Sequence, residues 1–425
     1  MNPREPRAIK LIRLGFWLVV LAAAVFLPPV KTPKPLDLRV VNEAGKDEPC
    51  PPTFAFVERP DRRAPYARAL LDDFAYAAAD AGPVGAGVLL ACFAFIVWFF
   101  GCMTRGLRCG LRRLLLAFAL GVPITLGLLY VSCFLDGRAI RLGAEAGDWI
   151  PASLHNQTNT TTGLLSPSDV VSWHYRRGFR VINVSDRDTT DGGRAAREYA
   201  LRKGHQPSLT VLVGEEWHGH PDIVLVNVKR DWKPHAVPMD ELLAGVRKEG
   251  GASFVAHPWS KLDESLEALL ARGVDGVEVV NGRIHGGTRV LDAARLRDKT
   301  LLGTIDYKFG PHVNAITVLP AETANSPAKI VAAIRARRTR VLYAVPGGAV
   351  TGEAWDAHRL GLTSAAAGLH ALLQTPRPRR LVWFLWLALG AILWRITTWR
   401  DVAAEATGKA RLLFLVCCVL QFAIP

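Results

Sequence analysis

The chain has 425 residues, half of them hydrophobic, and a formal net charge of +14. That apolar share is high for a soluble protein with 21% charged residues, and the apolar residues crowd into runs near the two ends. The positive excess argues against nucleic acid by its placement. Arg4, Arg7, Lys10 and Arg13, then Arg105, Arg108, Arg112 and Arg113, then Arg377, Arg379 and Arg380 flank the apolar runs, as Lys and Arg do beside membrane segments.

In chain order, Leu14–Leu27 follows a basic leader and stops at Pro28-Pro29. Residues 1–30 are read as a signal-anchor helix, with a cleaved signal sequence as the alternative. Residues 31–83 read as an extracytoplasmic linker with an amphipathic helix over Tyr66–Ala79. Val84–Met103 and Leu114–Phe134 carry no charge, and each has the roughly 20 residues needed to cross a hydrocarbon core. They predict two transmembrane helices over 84–134. A linker over 351–380 and one or two further spans over 381–425, in Leu381–Trp394 and Leu412–Ile424, complete the membrane part. The basic N-terminus and the basic stretch Thr104–Arg113 belong in the cytoplasm, which places the central domain outside it. Arg377, Arg379 and Arg380 count against that orientation.

From Trp149 the pattern changes. Strands are predicted at Ile150–Leu154, Arg180–Val184, Leu209–Val213, Ile223–Val228, Ser253–Ala256, Gly276–Val280, Thr300–Thr304, Asn314–Leu319 and Arg340–Tyr343. Helices are predicted between them at Ser166–Arg177, Gly193–Lys203, Pro238–Lys248, Asp263–Ala271, Thr288–Arg297 and Ser326–Ala336. Alternating βα units predict one α/β domain over 140–350 with a parallel sheet or barrel. Its metal-competent residues fall just after strands: His155, Asp186, Glu215-Glu216, His257, Asn281 and Asp306. Parallel strands open on one face, so these side chains are expected to converge. No cysteine lies in this domain, whereas all eleven histidines lie between His155 and His370. A Cys-based metal site is thereby excluded. His174 and His285 are read as surface residues.

These residues resemble a known family. Pro151–Thr158, with Thr161-Thr162-Gly163 and Ser166-Pro167, resembles an H-x-H-T, S-D-G, S-P opening. Val184–Asp188 resembles T-D-H-D, and Gly214-Glu215-Glu216 resembles G-x-E. Val255–Pro258 contains A-H-P. Gly276–Asn281 resembles G-x-E-x-x-N, and Gly303–Lys308 resembles G-S-D-x-H. Six such motifs in order resemble the PHP (polymerase and histidinol phosphatase) family, in its metallohydrolase subgroup named after carbaryl hydrolase.

The resemblance implies a distorted (β/α)7, TIM-like barrel flanked here by transmembrane helices. It implies a divalent metal cofactor, zinc or manganese, and hydrolysis of phosphoesters, hence a phosphate-containing or other anionic small molecule as partner. Carried over, His155, Glu216 and Asp306 hold one ion, and Glu216, His257 and His220 a second, with His218 competing with His220. Gln157 stands where the family has a histidine and keeps an oxygen able to ligate. Thr162, Arg187 and Lys308 replace an aspartate and two histidines, which removes the third ion and leaves one or two. Asp186, Arg187 and Lys308 are the catalytic candidates, with the two cations as a phosphate clamp. The competing expectation is a catalytically inactive, PHP-like sensor or anion-binding module on a membrane anchor.

Overall fold

The computed structural model describes residues 37–389, apart from 43, 45, 50–53, 58–68, 106, 136–138, 143–146, 206–207, 233–236, 261, 283, 346–349, 352–361, 374, 376–377, 384, 387 and 388. Leu14–Leu27, Leu412–Ile424 and most of Leu381–Trp394 lie outside the described residues. In chain order the elements are β1 (Asp37–Val41), β2 (Asp47–Pro49), β3 (Phe54–Val57), α1 (Ala69–Arg105), α2 (Leu107–Ser132), β4 (Ala139–Leu142), β5 (Trp149–Asn156), α3 (Pro167–Arg176), β6 (Val181–Val184), α4 (Asp191–Arg202), β7 (Thr210–Val213), β8 (Glu215–Trp217) and β9 (Ile223–Val226). There follow α5 (Met239–Lys248), β10 (Ala252–Val255), α6 (Leu266–Ala271), β11 (Gly276–Asn281), β12 (Ile284–His285), α7 (Gly287–Leu296), β13 (Thr300–Thr304), β14 (Ala315–Pro320), α8 (Pro327–Arg335), β15 (Arg340–Val345), β16 (Val350–Thr351) and α9 (Leu362–Leu373).

The chain divides into two compact units. In the helical unit, α1 bends at Gly82 (φ 65°, ψ 176°), which precedes Pro83. Pro cannot donate a helical hydrogen bond, so the kink falls there. The stretches Ala69–Ile96 and Leu114–Ser132 are long and apolar enough to cross a membrane by length and composition. The first begins earlier than the charge-free run because the amphipathic stretch continues into it across the kink. Leu362–Leu373, read as linker, is the helix α9.

The other unit is a mixed α/β domain, and all the predicted central strands and helices are present in it. Ser166 caps α3 by accepting from Asp169 N, with Pro167 in the first turn, and Ser326 with Pro327 starts α8 the same way. The strands form two seven-stranded sheets and a separate antiparallel pair, β3-β4. The first runs β2-β1-β15-β14-β5-β6-β7, and the second runs β16-β12-β11-β10-β9-β8 with β13 on β11. Among the described residues, β5-β6-β7 and β10-β11-β13 make parallel runs, and β12 pairs with β16 in parallel. β9 is antiparallel to both β8 and β10, and β14 is antiparallel to β5 and β15.

Strand ladders therefore do not close the expected ring, and side chains bridge the two sheets instead. Thr317 Oγ1 on β14 accepts from Gly303 N at 3.0 Å and donates to Gly303 O at 2.8 Å on β13. A side chain at Gly303 would stand 2.4 Å from Val341 Cγ1. Asn183 Nδ2 on β6 donates to Leu154 O and Leu225 O, joining β6 to β9. The linker reading of 31–83 also misses three strands, β1, β2 and β3, of which β1 pairs with β15 from Asp37↔Val345 to Val41↔Val341.

Alternation along the strands sorts the core. Val224 and Val226 join Leu154, Leu212, Phe254 and Leu302 in a central cluster, which Ile330 and Ile334 of α8 plug. Ile223 and Leu225 face the opposite way, toward Leu242 and Val246 of α5. Trp173, Val170 and Val171 of α3 cover β6 and β7.

Candidate metal centre

The strand ends carry four of the expected ligands to one place. His155 lies near the end of β5, Glu216 on β8, His257 two residues after β10 and Asp306 two after β13. His257 (φ 28°) and Asp306 (φ 42°) adopt left-handed backbone conformations, which turn both side chains back over the strand ends at some cost in strain. His257 N donates to Glu278 Oε2 at 2.8 Å, and Tyr307 N donates to His155 O at 3.1 Å. These bonds hold the two turns.

One oxygen is the hub. Glu216 Oε1 lies 3.3 Å from His155 Nε2 and 3.3 Å from His257 Nε2. His155 Nε2 is also 3.4 Å from Asp306 Oδ1. His155, Glu216 and Glu278 are fully buried. Glu278 Oε1 accepts from His155 Nδ1 at 2.9 Å, so the nitrogen facing Glu216 and Asp306 is Nε2. His155 Nε2, Asp306 Oδ1 and Gln157 Oε1 are buried and make no hydrogen bond among the described residues. Buried polar atoms left so need a partner. Imidazole nitrogens and carboxylate oxygens in this arrangement fit a divalent ion of the zinc or manganese kind.

The second cluster departs from expectation. Glu216, Asp222 and His257 offer ligand atoms within 4.8 Å of one another, with Asp222 Oδ2 3.6 Å from His257 Nε2. His220, expected there, is exposed and outside this cluster. His218 Nδ1 meets Asp222 Oδ1 at 2.8 Å, so it orients Asp222 from outside. Sequence reasoning missed Asp222, which stands immediately before β9.

The three catalytic candidates separate. Asp186 is buried, and its oxygens accept from Thr158 N (2.7 Å), Thr158 Oγ1 (2.8 Å) and Thr161 Oγ1 (2.9 Å). It is occupied in tying the 158–161 loop. Lys308 Nζ donates to Asp306 Oδ2 at 2.8 Å, and Arg187 Nε is 3.5 Å from Glu216 Oε2. Gln157 Nε2 donates to the same Glu216 oxygen at 2.5 Å. The outer oxygens of Glu216 and Asp306 are thus held from one side, which leaves their other oxygens facing the imidazoles. His174 is a separate correction: it is fully buried, with Nδ1 on Val170 O and Nε2 on Asn156 Oδ1.

Burial alone would lower the pKa of His155, but the carboxylates of Asp306, Glu278 and Glu216 hold it well above 6.5. His257 is raised by the same contest, with Glu216 foremost among the carboxylates. Burial would raise Glu216, yet His155, His257 and Lys308 hold it well below 4.5. Glu278 and Asp306 are also lowered against burial, by His155 and by Lys308 respectively. Burial pushes Glu215 up to about 7.

A pH dependence follows for protein stripped of metal. The raised histidines contribute stability in full below 6.5, lost as pH rises through their folded pKa values. Glu215 adds stability below 4.5 that is lost by about 7. The lowered carboxylates contribute above their ordinary values, 4.5 for Glu216 and Glu278 and 3.8 for Asp306, and oppose only acid. The melting temperature of EDTA-treated protein is therefore expected to fall as the pH rises above 6.5. Saturating zinc or manganese should remove the fall, because metal binding requires neutral imidazoles and strengthens as they lose protons. A rising melting temperature in EDTA over that range would contradict the assignment.

No family model and no curated protein matches the chain. Solved structures resemble it at low identity. A two-domain protein containing a predicted PHP-like metal-dependent phosphoesterase, from Bacteroides vulgatus, is 18% identical with a TM-score of 0.40. That match covers 46% of this chain and 65% of the other, so the chain spans less than two thirds of that protein's length. An amidohydrolase from Chromobacterium violaceum, with bound sulfate and no metal, is 16% identical over 37% of this chain and 87% of that one, with a TM-score of 0.29. PsfC from Pseudomonas syringae is 15% identical over 52% and 98%, with a TM-score of 0.38. Likenesses this distant carry no chemistry across, and the site is read from its own atoms.

Proposed function

We propose that the chain is a membrane-anchored, metal-dependent phosphoric ester hydrolase, built on a distorted, PHP-like TIM barrel whose third ion is lost. One observation carries this reading: two imidazole Nε2 atoms stand 3.3 Å from a single buried carboxylate oxygen of Glu216. His155, Glu216 and Asp306 would hold one ion, and Glu216, Asp222 and His257 a second, with Glu216 bridging. A divalent ion here supplies Lewis acidity toward a phosphoryl oxygen and toward water.

The chain's own groups do the rest. Glu278 fixes the His155 ring, and His218 fixes Asp222. Arg187 and Lys308, their side chains 32% and 29% exposed, stand beside the ligand carboxylates. They would bind phosphate oxygens and offset charge developing on them. Asp186 positions the loop beside them and transfers no proton. The substrate is an anionic, phosphate-containing small molecule.

Elemental analysis of the purified full-length protein should find at least one zinc or manganese ion per chain, with turnover of p-nitrophenyl phosphate. His257→Ala is expected to lose both, turnover falling by a factor on the order of 100 or more, since a ligand to the catalytic ion is gone. A second reading has a specific observation behind it. Arg187 and Lys308 already lie on Glu216 and Asp306, so the site is partly neutralised without metal. Folded, metal-free protein that binds inorganic phosphate but turns over nothing under zinc, manganese or magnesium would establish this sensor reading and end the hydrolase one.

A further inference from the structure

The domain that carries the metal centre has an end that the hydrolase chemistry does not use. α3 and α4 each lead into a parallel strand, β6 and β7, so their C-terminal ends lie together where those strands start. The Tyr175 and His205 rings meet there, with centroids 4.3 Å apart. Tyr175 and Leu201 are 42% and 54% exposed, and Arg176, Arg180, Arg202 and Lys203 are exposed around them. From Val170 to Ser185 and from Tyr199 to Gly214 the sequence has no Asp or Glu. Arg202 pairs with Glu198, one turn back on α4. Among the described residues, Arg176, Arg180 and Lys203 pair with no carboxylate.

The covalent link from α2 reaches the domain at this end. The apolar stretch of α2 stops at Ser132. Three residues on, Leu135 O accepts from Arg177 Nη2 at 2.9 Å, and Arg177, the C-cap of α3, also donates to Pro311 O at 3.4 Å. Three residues of extended chain span at most about 11 Å. The end of α3 is therefore on a short tether to a stretch long and apolar enough to cross a membrane. The link to α1 arrives nearby, since Val57 pairs with Ala139, and Ala139 bridges to Val313. In sequence that link carries Arg59, Arg62, Arg63 and Arg68 against Glu58 and Asp61.

We propose that this face, Tyr175 and Leu201 set among Arg176, Arg180, Arg202 and Lys203, rests on the anionic surface of the membrane that anchors the chain, and that the metal centre opens away from lipid, toward water-soluble phosphoesters. Basic side chains close to a bilayer are drawn to acidic headgroups, and Tyr settles at headgroup level. The metal centre stands at the opposite end of the same strands. Arg180 N donates to Pro151 O, and His155 lies four residues further along β5, about 13 Å at the rise of a strand. A face held on headgroups thus turns the centre toward water. The proposal rests on the membrane-anchored reading and, for the source of the substrate, on the hydrolase reading. It does not depend on which side of the membrane the domain occupies.

Hydrogen exchange read by mass spectrometry, on the full chain reconstituted in vesicles, tests the face. Exchange at 175–180 and 201–205 should be slower in phosphatidylcholine vesicles containing phosphatidylglycerol than in phosphatidylcholine alone, and high salt should remove the difference. Arg176→Glu with Lys203→Glu should remove it too, while unchanged exchange in β6 and β7 shows the domain folded. Slowing that survives this reversal, or equal exchange in the two kinds of vesicle, overturns the proposal. Slowing by soluble heparin, with none from the charged vesicles, assigns the face to an acidic macromolecule and also overturns it. A chain that alkaline carbonate strips from the vesicles ends the membrane-anchored reading itself. Loaded with zinc or manganese, the protein should turn over soluble p-nitrophenyl phosphate and spare phosphatidic acid in the same bilayer. Turnover of phosphatidic acid overturns the water-facing centre. Turnover of neither counts against the hydrolase reading alone and leaves the face to be decided by exchange.

Discussion

Glu278→Ala is expected to strip the protein of its metal and to destabilise the domain more than any surface change. Glu278 is fully buried and accepts four hydrogen bonds: from His155 Nδ1 (2.9 Å), His257 N (2.8 Å), Thr304 Oγ1 (2.7 Å) and Asn281 Nδ2 (2.9 Å). It therefore sets the ring of one ligand and the backbone of another. Alanine would leave four donors without an acceptor, two of them buried and two part-buried, at roughly 1–3 kcal/mol for each that water fails to reach. A net loss on the order of 3–5 kcal/mol follows, the size seen when a buried charge network loses a member. Glutamine is the sharper probe. It keeps the shape but must turn one amide N–H₂ toward groups that are themselves donors. Metal affinity for Glu278→Gln should drop about 10- to 100-fold, as when a group orienting a ligand is lost. Calorimetric zinc titration with thermal melts checks both variants. Wild-type zinc affinity in Glu278→Gln would show that the carboxylate does not orient the ligands.

The role of Glu278 was half visible in the sequence. It is the acidic residue of the stretch that resembles G-x-E-x-x-N, but the two imidazoles it serves are 123 and 21 residues away. Such partners are set by the fold. His155, Glu216, His257 and Asp306 were legible because each follows a short β-rich run, and strand ends in an α/β domain share one face.

Asp222 was missed for the converse reason. It precedes its strand, and in a parallel barrel that places a residue at the wrong end. β9 runs antiparallel to its neighbours, with Ile223 opposite Trp217 and Val255. Its start therefore lies beside the end of β10, within reach of His257. A three-residue strand, β8, followed by the turn at His218–Pro221 is the local signal of this reversal. The β-hairpin is too short for periodicity to declare it.

Other misses have similar causes. The strand β1 is hydrogen-bonded to a partner about 300 residues away, and nothing local distinguishes it from a linker. His174 could have been placed better: with Val170, Val171 and Trp173 it completes the apolar stripe of α3, and the i, i+4 spacing from Val170 turns it inward.

The largest gain of function is expected from the double change Arg187→His and Lys308→His. Both positions stand where the family resemblance calls for imidazoles, and both side chains lie beside the centre. Arg187 Nε is 3.5 Å from Glu216 Oε2, and Lys308 Nζ is 2.8 Å from Asp306 Oδ2. Burial would lower Lys308, but Asp306 and Glu216 hold its pKa above 10.5, so it remains a fixed cation. Two positive charges in a small, partly desolvated site repel a further divalent ion and offer it no lone pair. Neutral imidazoles reverse both effects. The double variant should hold one more zinc or manganese ion per chain than wild type. It should also lose the clamp: inorganic phosphate should bind or inhibit about 10- to 100-fold more weakly, since hydrogen bonds to charged groups contribute about 1.5–3 kcal/mol each. If metal content and phosphate affinity were both unchanged, the two cations would be bystanders at the rim. If phosphate binding weakened without any gain of metal, the clamp would stand, and the missing aspartate at Thr162 would be the remaining obstacle to a third ion.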